Sequence, residues 1–193
     1  MVTVTATRAG TEPNPEGGGD FTAEEAGQDL LDLTSGVLGP VWLSAMVNDH
    51  SLCIGSFTAG GVNLAREPLN VGLSSVPLPM ELTLRDDCGK LALQLPPSLA
   101  SFVPGDEPFY TVYVVPDFDS TADLPPMTIH PSSGPILNLD GLTPGSYHVY
   151  VFDSPFRLEY RNAAALAALP NAGQAVTLSP GATASLVLEV PGH

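Results

Sequence analysis

Positive charge is what this chain has least of. Lys and Arg number 6 against 21 Asp and Glu, a net charge of −15. The six (Arg8, Arg66, Arg85, Lys90, Arg157 and Arg161) form no patch in sequence. Neutralising phosphates takes clustered cations, so nucleic acid is excluded as a partner, and so is an anionic membrane surface. Charged residues of either sign are only 14% of the chain, below the usual ~25%. Long apolar runs are also missing: no stretch of 18 apolar residues exists, so no membrane-inserted helix is expected. The opening Met-Val-Thr-Val-Thr-Ala-Thr-Arg lacks the charged, apolar and cleavage regions of a signal peptide.

Catalytic and metal-binding patterns are equally scarce. His50, His130, His148 and His193 share no i, i+2 or i, i+4 spacing. There is no Gly-x-Ser-x-Gly elbow. Ser132 and Ser133 follow His130 in a proline turn without an acid beside them. Gly17–Gly19 neither follows a strand directly nor opens a helix with Lys, so it is no phosphate loop. No enzyme is expected. The two cysteines, Cys53 in an apolar run and Cys88 in the polar turn Asp86-Asp87-Cys88-Gly89, allow one disulfide or two separate thiols.

Turn residues are abundant. Nineteen glycines and twenty prolines make up roughly a fifth of the chain, against ~12% usually. They punctuate short apolar runs with a period of two, at Val41–Val47, Leu52–Phe57, Val62–Leu64, Leu69–Leu73, Met80–Leu84, Lys90–Leu95, Phe109–Val115, Met127–Ile129, Pro135–Leu139, Ala175–Leu178 and Ala184–Val190. Short strands at close spacing predict an all-β chain of two tandem Ig-like β-sandwiches. The one helical window is Arg157–Leu169, which puts a short helix in the second module.

The expected organisation is an N-terminal strand and flexible acidic arm over 1–29, a first β-sandwich module over 30–88 and a second over 89–193. Val2, Thr3, Val4, Thr5, Ala6 and Thr7 alternate apolar and β-branched polar residues, as a strand does. Residues 10–28 then lose all periodicity. A good strand with no tight hairpin to its own domain reads as a local edge strand, as the last strand of a preceding domain, or as an arm lent to another copy by β-strand addition.

The densest signal is 139–153. Leu142, Pro144, Gly145 and Tyr147 lay out a turn leading into a strand, with the spacing of a tyrosine corner, in which the phenol bonds back to the turn backbone. Tyr147, Val149 and Val151 alternate with His148, Tyr150 and Phe152, so the strand is apolar on both faces and expected to be covered on both.

The pattern Leu142-x-Pro144-Gly145-x-Tyr147-x-Val149-x-Val151 resembles the signature of carboxypeptidase regulatory-like domains, which are transthyretin-like sandwiches close to collagen-adhesin B-type repeats. The tail Gly173-Gln-Ala-Val176-Thr-Leu178-x-Pro180-Gly181 is similar to their last strands. The resemblance covers 90–193. Ser51–Phe57, Gly60–Asn63, Arg66–Leu69 and Leu84–Asp87 resemble the module often preceding such a domain in large bacterial secreted or envelope proteins. It implies a spacer, adhesion or interaction module of a secreted or cell-surface protein, with other protein domains or copies of itself as partners; self-assembly into a filament is expected from the N-terminal strand, since head-to-tail strand addition grows an open chain of copies. Adhesin repeats often carry a Lys–Asn or Lys–Asp isopeptide; here the last strand offers no Asn or Asp to Lys90.

Two binding alternatives remain. Asp117, Asp119 and Asp123 gather three carboxylates in one loop, as an oxygen-ligand calcium site needs, though without the Gly and distal Glu of an EF-hand. Trp42, Tyr110 and Tyr113 are the aromatics for a glycan platform, or else core.

Overall fold

A computed structural model describes residues 2–8, 21–22, 24–25, 31–32, 39–47, 49, 51–72, 78–96, 110–119, 127–129, 134–153, 156, 158–170 and 172–190. The protein is all-β, with a single short helix among the described residues. It divides into two compact units, Met1–Arg85 with Asp119–Asp123, and Asp86–Phe118 with Leu124–His193. The division falls at 85/86, and the N-terminal strand belongs to the first unit.

In the first unit β1 (Val2–Arg8) lies between β2 (Phe21–Thr22) and β5 (Gly39–Val47), and β8 (Leu69–Val71) flanks β5. β3 (Glu24–Glu25) and β4 (Leu31–Asp32) form a separate short pair. A second sheet sets β6 (Cys53–Ala59) between β7 (Val62–Asn63) and β9 (Met80–Arg85). One apolar cluster joins the two sheets: Val4, Val41, Leu43 and Ala45 from the first meet Ile54, Phe57 and Ala59 of β6, with Leu64. The register of β6 on β9 shifts between Ile54 and Ser56. That bulge at Gly55 lets Ile54 and Phe57, three apart, share the core side.

The second unit has a mixed sheet in which β10 (Gly89–Gln94) pairs antiparallel with β13 (Ile136–Leu142) and parallel with β16 (Thr183–Val187). Its other sheet runs β12 (Met127–Ile129), β11 (Tyr110–Pro116), β14 (Gly145–Phe152), β15 (Gln174–Leu178), all antiparallel. Leu91, Leu93 and Leu142 of the first close on Val112, Tyr147 and Val149 of the second in one core. The opposite face of β11 and β14 is apolar too. Tyr113, Val115 and Tyr150 there are covered by Leu158, with Tyr160, Leu166 and Leu169 packed against them.

The helix α1 spans only Ala163–Ala167, shorter than the window Arg157–Leu169 expected from sequence. Two contacts account for this. The Tyr113 hydroxyl donates to the Phe156 carbonyl at 2.8 Å and accepts from Leu158 N at 3.2 Å, which holds that stretch against the sheet and out of a helix. Asn162 then caps the helix, accepting from the N–H groups of Ala164 and Ala165.

Candidate functional site

The seam between β1 and β5 has the most regular geometry of the sequence-predicted sites. Seven consecutive pairs run from Val2↔Val47 to Arg8↔Val41. Period-two patterning sets the register. Val2, Val4 and Ala6 stand opposite Val47, Ala45 and Leu43, and Thr3, Thr5 and Thr7 opposite Met46, Ser44 and Trp42. A one-residue slip would place threonines on the core side. Val4 is buried, and so are Val41, Leu43 and Ala45. The other edge of β1 meets β2 at Thr5↔Thr22 and Ala6↔Phe21. The expected N-terminal strand therefore forms, and in this chain it occupies an interior place in its own sheet rather than an edge.

The structure separates the acidic loop's carboxylates by partner. Asp117 Oδ1 lies 2.6 Å from His148 Nδ1. Asp119 Oδ1 lies 3.8 Å from Arg66 Nε. Asp123 lies outside the described residues. No group of three His, Cys, Asp or Glu suited to a metal occurs among the described residues.

Of the aromatics weighed as a glycan platform or else core, Trp42, Tyr110 and Tyr113, the two tyrosines belong to the core of the second unit. Tyr110 and Tyr113 are buried, on β11 strand positions whose faces are both covered. Burial, with the nearby Asp153 carboxylate adding to it, raises the Tyr110 phenol above its ordinary value. An aromatic group that composition alone did not single out lies elsewhere. Phe152 and Phe156 stack with centroids 4.0 Å apart, and Phe156 is 40% exposed. The Arg161 guanidinium stands 5.7 Å from the Tyr160 ring centre. The alternation of His148, Tyr150 and Phe152 on the strand's outer side was the available signal.

The corner residues are brought together. Leu142 and Thr143 are buried, and the Tyr147 hydroxyl donates to the Thr143 carbonyl. Phe118 meets the Tyr147 ring edge-on at 5.4 Å. Gly145 sits where a Cβ would overlap the Phe118 ring, so the turn excludes any larger residue. Burial pushes the Tyr147 phenol far above its ordinary value of 10.0. Lys90 Nζ and Asp140 Oδ1 form a largely exposed ion pair at 2.9 Å. The two cysteines, Cys53 and Cys88, are disulfide-bonded.

The chain matches no known family. No protein-family model, no curated protein and no solved structure is similar to it. The resemblance of 90–193 to carboxypeptidase regulatory-like domains therefore rests on its residues alone.

Proposed function

We propose that this chain is a non-enzymatic structural and interaction module of a secreted or cell-surface protein, built as two tandem Ig-like or transthyretin-like β-sandwiches, the second of carboxypeptidase regulatory-like type. One observation carries the reading: the polar side chains best suited to chemistry are spent on the scaffold. The hydroxyls of Tyr147 and Tyr113 hold backbone carbonyls. Gln174 donates to the Val187 carbonyl and accepts from Glu189 N, tying β15 to the end of the chain's last strand. Lys90 pairs with Asp140 and His148 with Asp117. A disulfide forms and persists in oxidising surroundings, which supports the secreted or surface location. A net charge of −15 favours protein partners over nucleic acid.

A second reading, a glycan- or calcium-binding accessory module, draws on the Phe152–Phe156 stack, in which Phe156 is 40% exposed, since stacked aromatics are of the kind a sugar packs against. Two measurements on the full chain separate the readings. A structural module leaves a glycan array blank and melts at the same temperature with calcium as with chelator. Glycan capture that Phe156→Ala abolishes, or a calcium-dependent rise in melting temperature, would overturn it in favour of the second.

A further inference from the structure

The mixed sheet of the second unit has two edge strands, and the fold plugs only one of them. The strand order is β13, β10, β16. Hydrogen bonds fix which backbone groups face which way. Leu95 N donates to the Pro135 carbonyl at 2.8 Å. Pro135 and then, at every second residue, Leu137 and Leu139 therefore turn their backbone groups toward β10. Ile136, Asn138 and Asp140 turn theirs outward, where no strand lies among the described residues. On the far edge Leu188 N donates to the Gln94 carbonyl, so Val187 and Glu189 face outward. The Gln174 amide fills that place: it donates to the Val187 carbonyl at 2.9 Å and accepts from Glu189 N at 2.7 Å. β13 has no such plug. It carries no Lys, the residue that commonly blunts an edge, and its outward Ile136 is 45% exposed. A row of unpaired N–H and C=O groups is a template for another strand.

We infer that this edge is a two-fold dimer interface: β13 of one copy pairs antiparallel with β13 of a second copy, and the two three-stranded sheets join into one. The inference rests on the interaction-module reading and names the partner. β13 is its own complement. Centring the pair on Asn138 sets Asn138 opposite Asn138 and Ile136 opposite Asp140, so all three outward residues of each copy gain backbone partners. The same register sets Leu137 of each copy opposite Leu139 of the other. Both leucines are only partly buried at the rim of the core, and across the pair each covers the other. Charge allows this contact. Each chain carries −15, so copies repel in general, but the only charged residues on β13, β10 and β16 are Asp140 and Lys90, paired at 2.9 Å. The pairing is short, which places it among weak, concentration-dependent contacts. It is isologous and consumes the open edge of both copies, so assembly closes at two.

The test follows particle mass of the full chain by static light scattering from micromolar to millimolar protein. Wild type should climb toward twice the mass of a single copy and level there. Asn138 is exposed, so Asn138→Lys spares the core while setting two ammonium groups opposite each other at the two-fold axis. It should weaken association about tenfold or more, since like charges directly opposed destabilise a strand pair. General repulsion predicts the reverse, because the variant is less acidic overall. An unchanged melting temperature shows that the variant is folded; should it melt early, Asn138→Cys decides. Opposed residues in such a pair have Cα atoms about 5.5 Å apart, within disulfide reach, so mild oxidation should link two copies through position 138 about tenfold more than through Ser185→Cys on the plugged edge, read by peptide mapping. Wild type that keeps single-copy mass at millimolar protein, or grows past two copies, overturns the dimer. So does association that a folded Asn138→Lys leaves unchanged, or a link at 138 no stronger than at 185. In those cases the interaction-module reading stands on other surfaces; it fails separately, on the glycan and calcium measurements above.

Discussion

Replacing Tyr147 with phenylalanine removes one oxygen and keeps the ring. The edge-on contact with Phe118 and the burial of the aromatic face remain. What is lost is the bond from the hydroxyl to the Thr143 carbonyl, at a place where both residues are buried. A buried acceptor stripped of its donor costs about 1–3 kcal/mol, and about 1.5 kcal/mol is expected for this neutral pair. For a chain of this length that lowers Tm by about 3–6 °C. The same hydroxyl makes the cost depend on pH. Folding raises the phenol's pKa above its ordinary 10.0 because burial disfavours the phenolate. The folded state then holds its proton more tightly than the unfolded state. Its contribution is complete below pH 10 and is lost as pH rises above 10, by about 1.4 kcal/mol one unit above. Phenylalanine has no such term. Urea melts of both proteins, followed by circular dichroism from pH 7 to 11, should show a deficit of about 1.5 kcal/mol for Tyr147→Phe at pH 7. That deficit should close almost completely by pH 11. Tyr110 and Tyr150, whose phenols burial also raises, are common to both proteins and cancel. A deficit under about 0.3 kcal/mol at pH 7, or one that stays constant to pH 11, refutes the reasoning.

Three further perturbations test the scaffold. Tyr113→Phe removes an acceptor from Leu158 N and a donor from the Phe156 carbonyl; it should cost about 2 kcal/mol and speed amide exchange at Leu158 before that of β11 or β14, whereas uniform acceleration would mean the covering segment is not held there. Gly145→Ala forces a methyl into the Phe118 ring and should destabilise by more than about 2 kcal/mol, with Gly145→Ala/Phe118→Ala recovering part of the loss; additive costs would show that the two sites do not collide. Reducing the Cys53–Cys88 bond reopens a loop of roughly 35 residues and should cost about 4 kcal/mol on chain-entropy grounds, with intact mass rising by two hydrogens; an unchanged mass on reduction means the bond is absent.

The local elements were legible in the sequence where one pattern governs them. Alternation of Val and Thr marks β1, and Leu142, Pro144, Gly145 and Tyr147 mark the corner, because a turn and the strand leaving it are specified by neighbours in the chain. The partner of β1 was not legible. Val41–Val47 reads as a strand, but pairing across residues 9–38 is decided by which edge in the folded unit offers a matching apolar face. The helix expected over Arg157–Leu169 is confined to Ala163–Ala167 for a related reason. Its alanines favour a helix, yet a hydroxyl from β11 takes the backbone at Phe156 and Leu158, so only the part after Asn162 is helical. The acidic loop shows the same limit: three aspartates in seven residues suggest a shared ligand, while the fold pairs Asp117 with His148 and Asp119 with Arg66, partners from distant segments. Tyr110 and Tyr113 were visible as aromatics, but whether they face solvent depended on cover supplied by residues more than forty positions later in the chain.

The most direct measurement of the structural-module reading follows thermal melting of the full chain with calcium and with chelator, beside a glycan array. A scaffold whose polar side chains are spent on folding predicts the same melting temperature in both and a blank array. Glycan capture that Phe156→Ala abolishes, or a calcium-dependent rise in melting temperature, contradicts it.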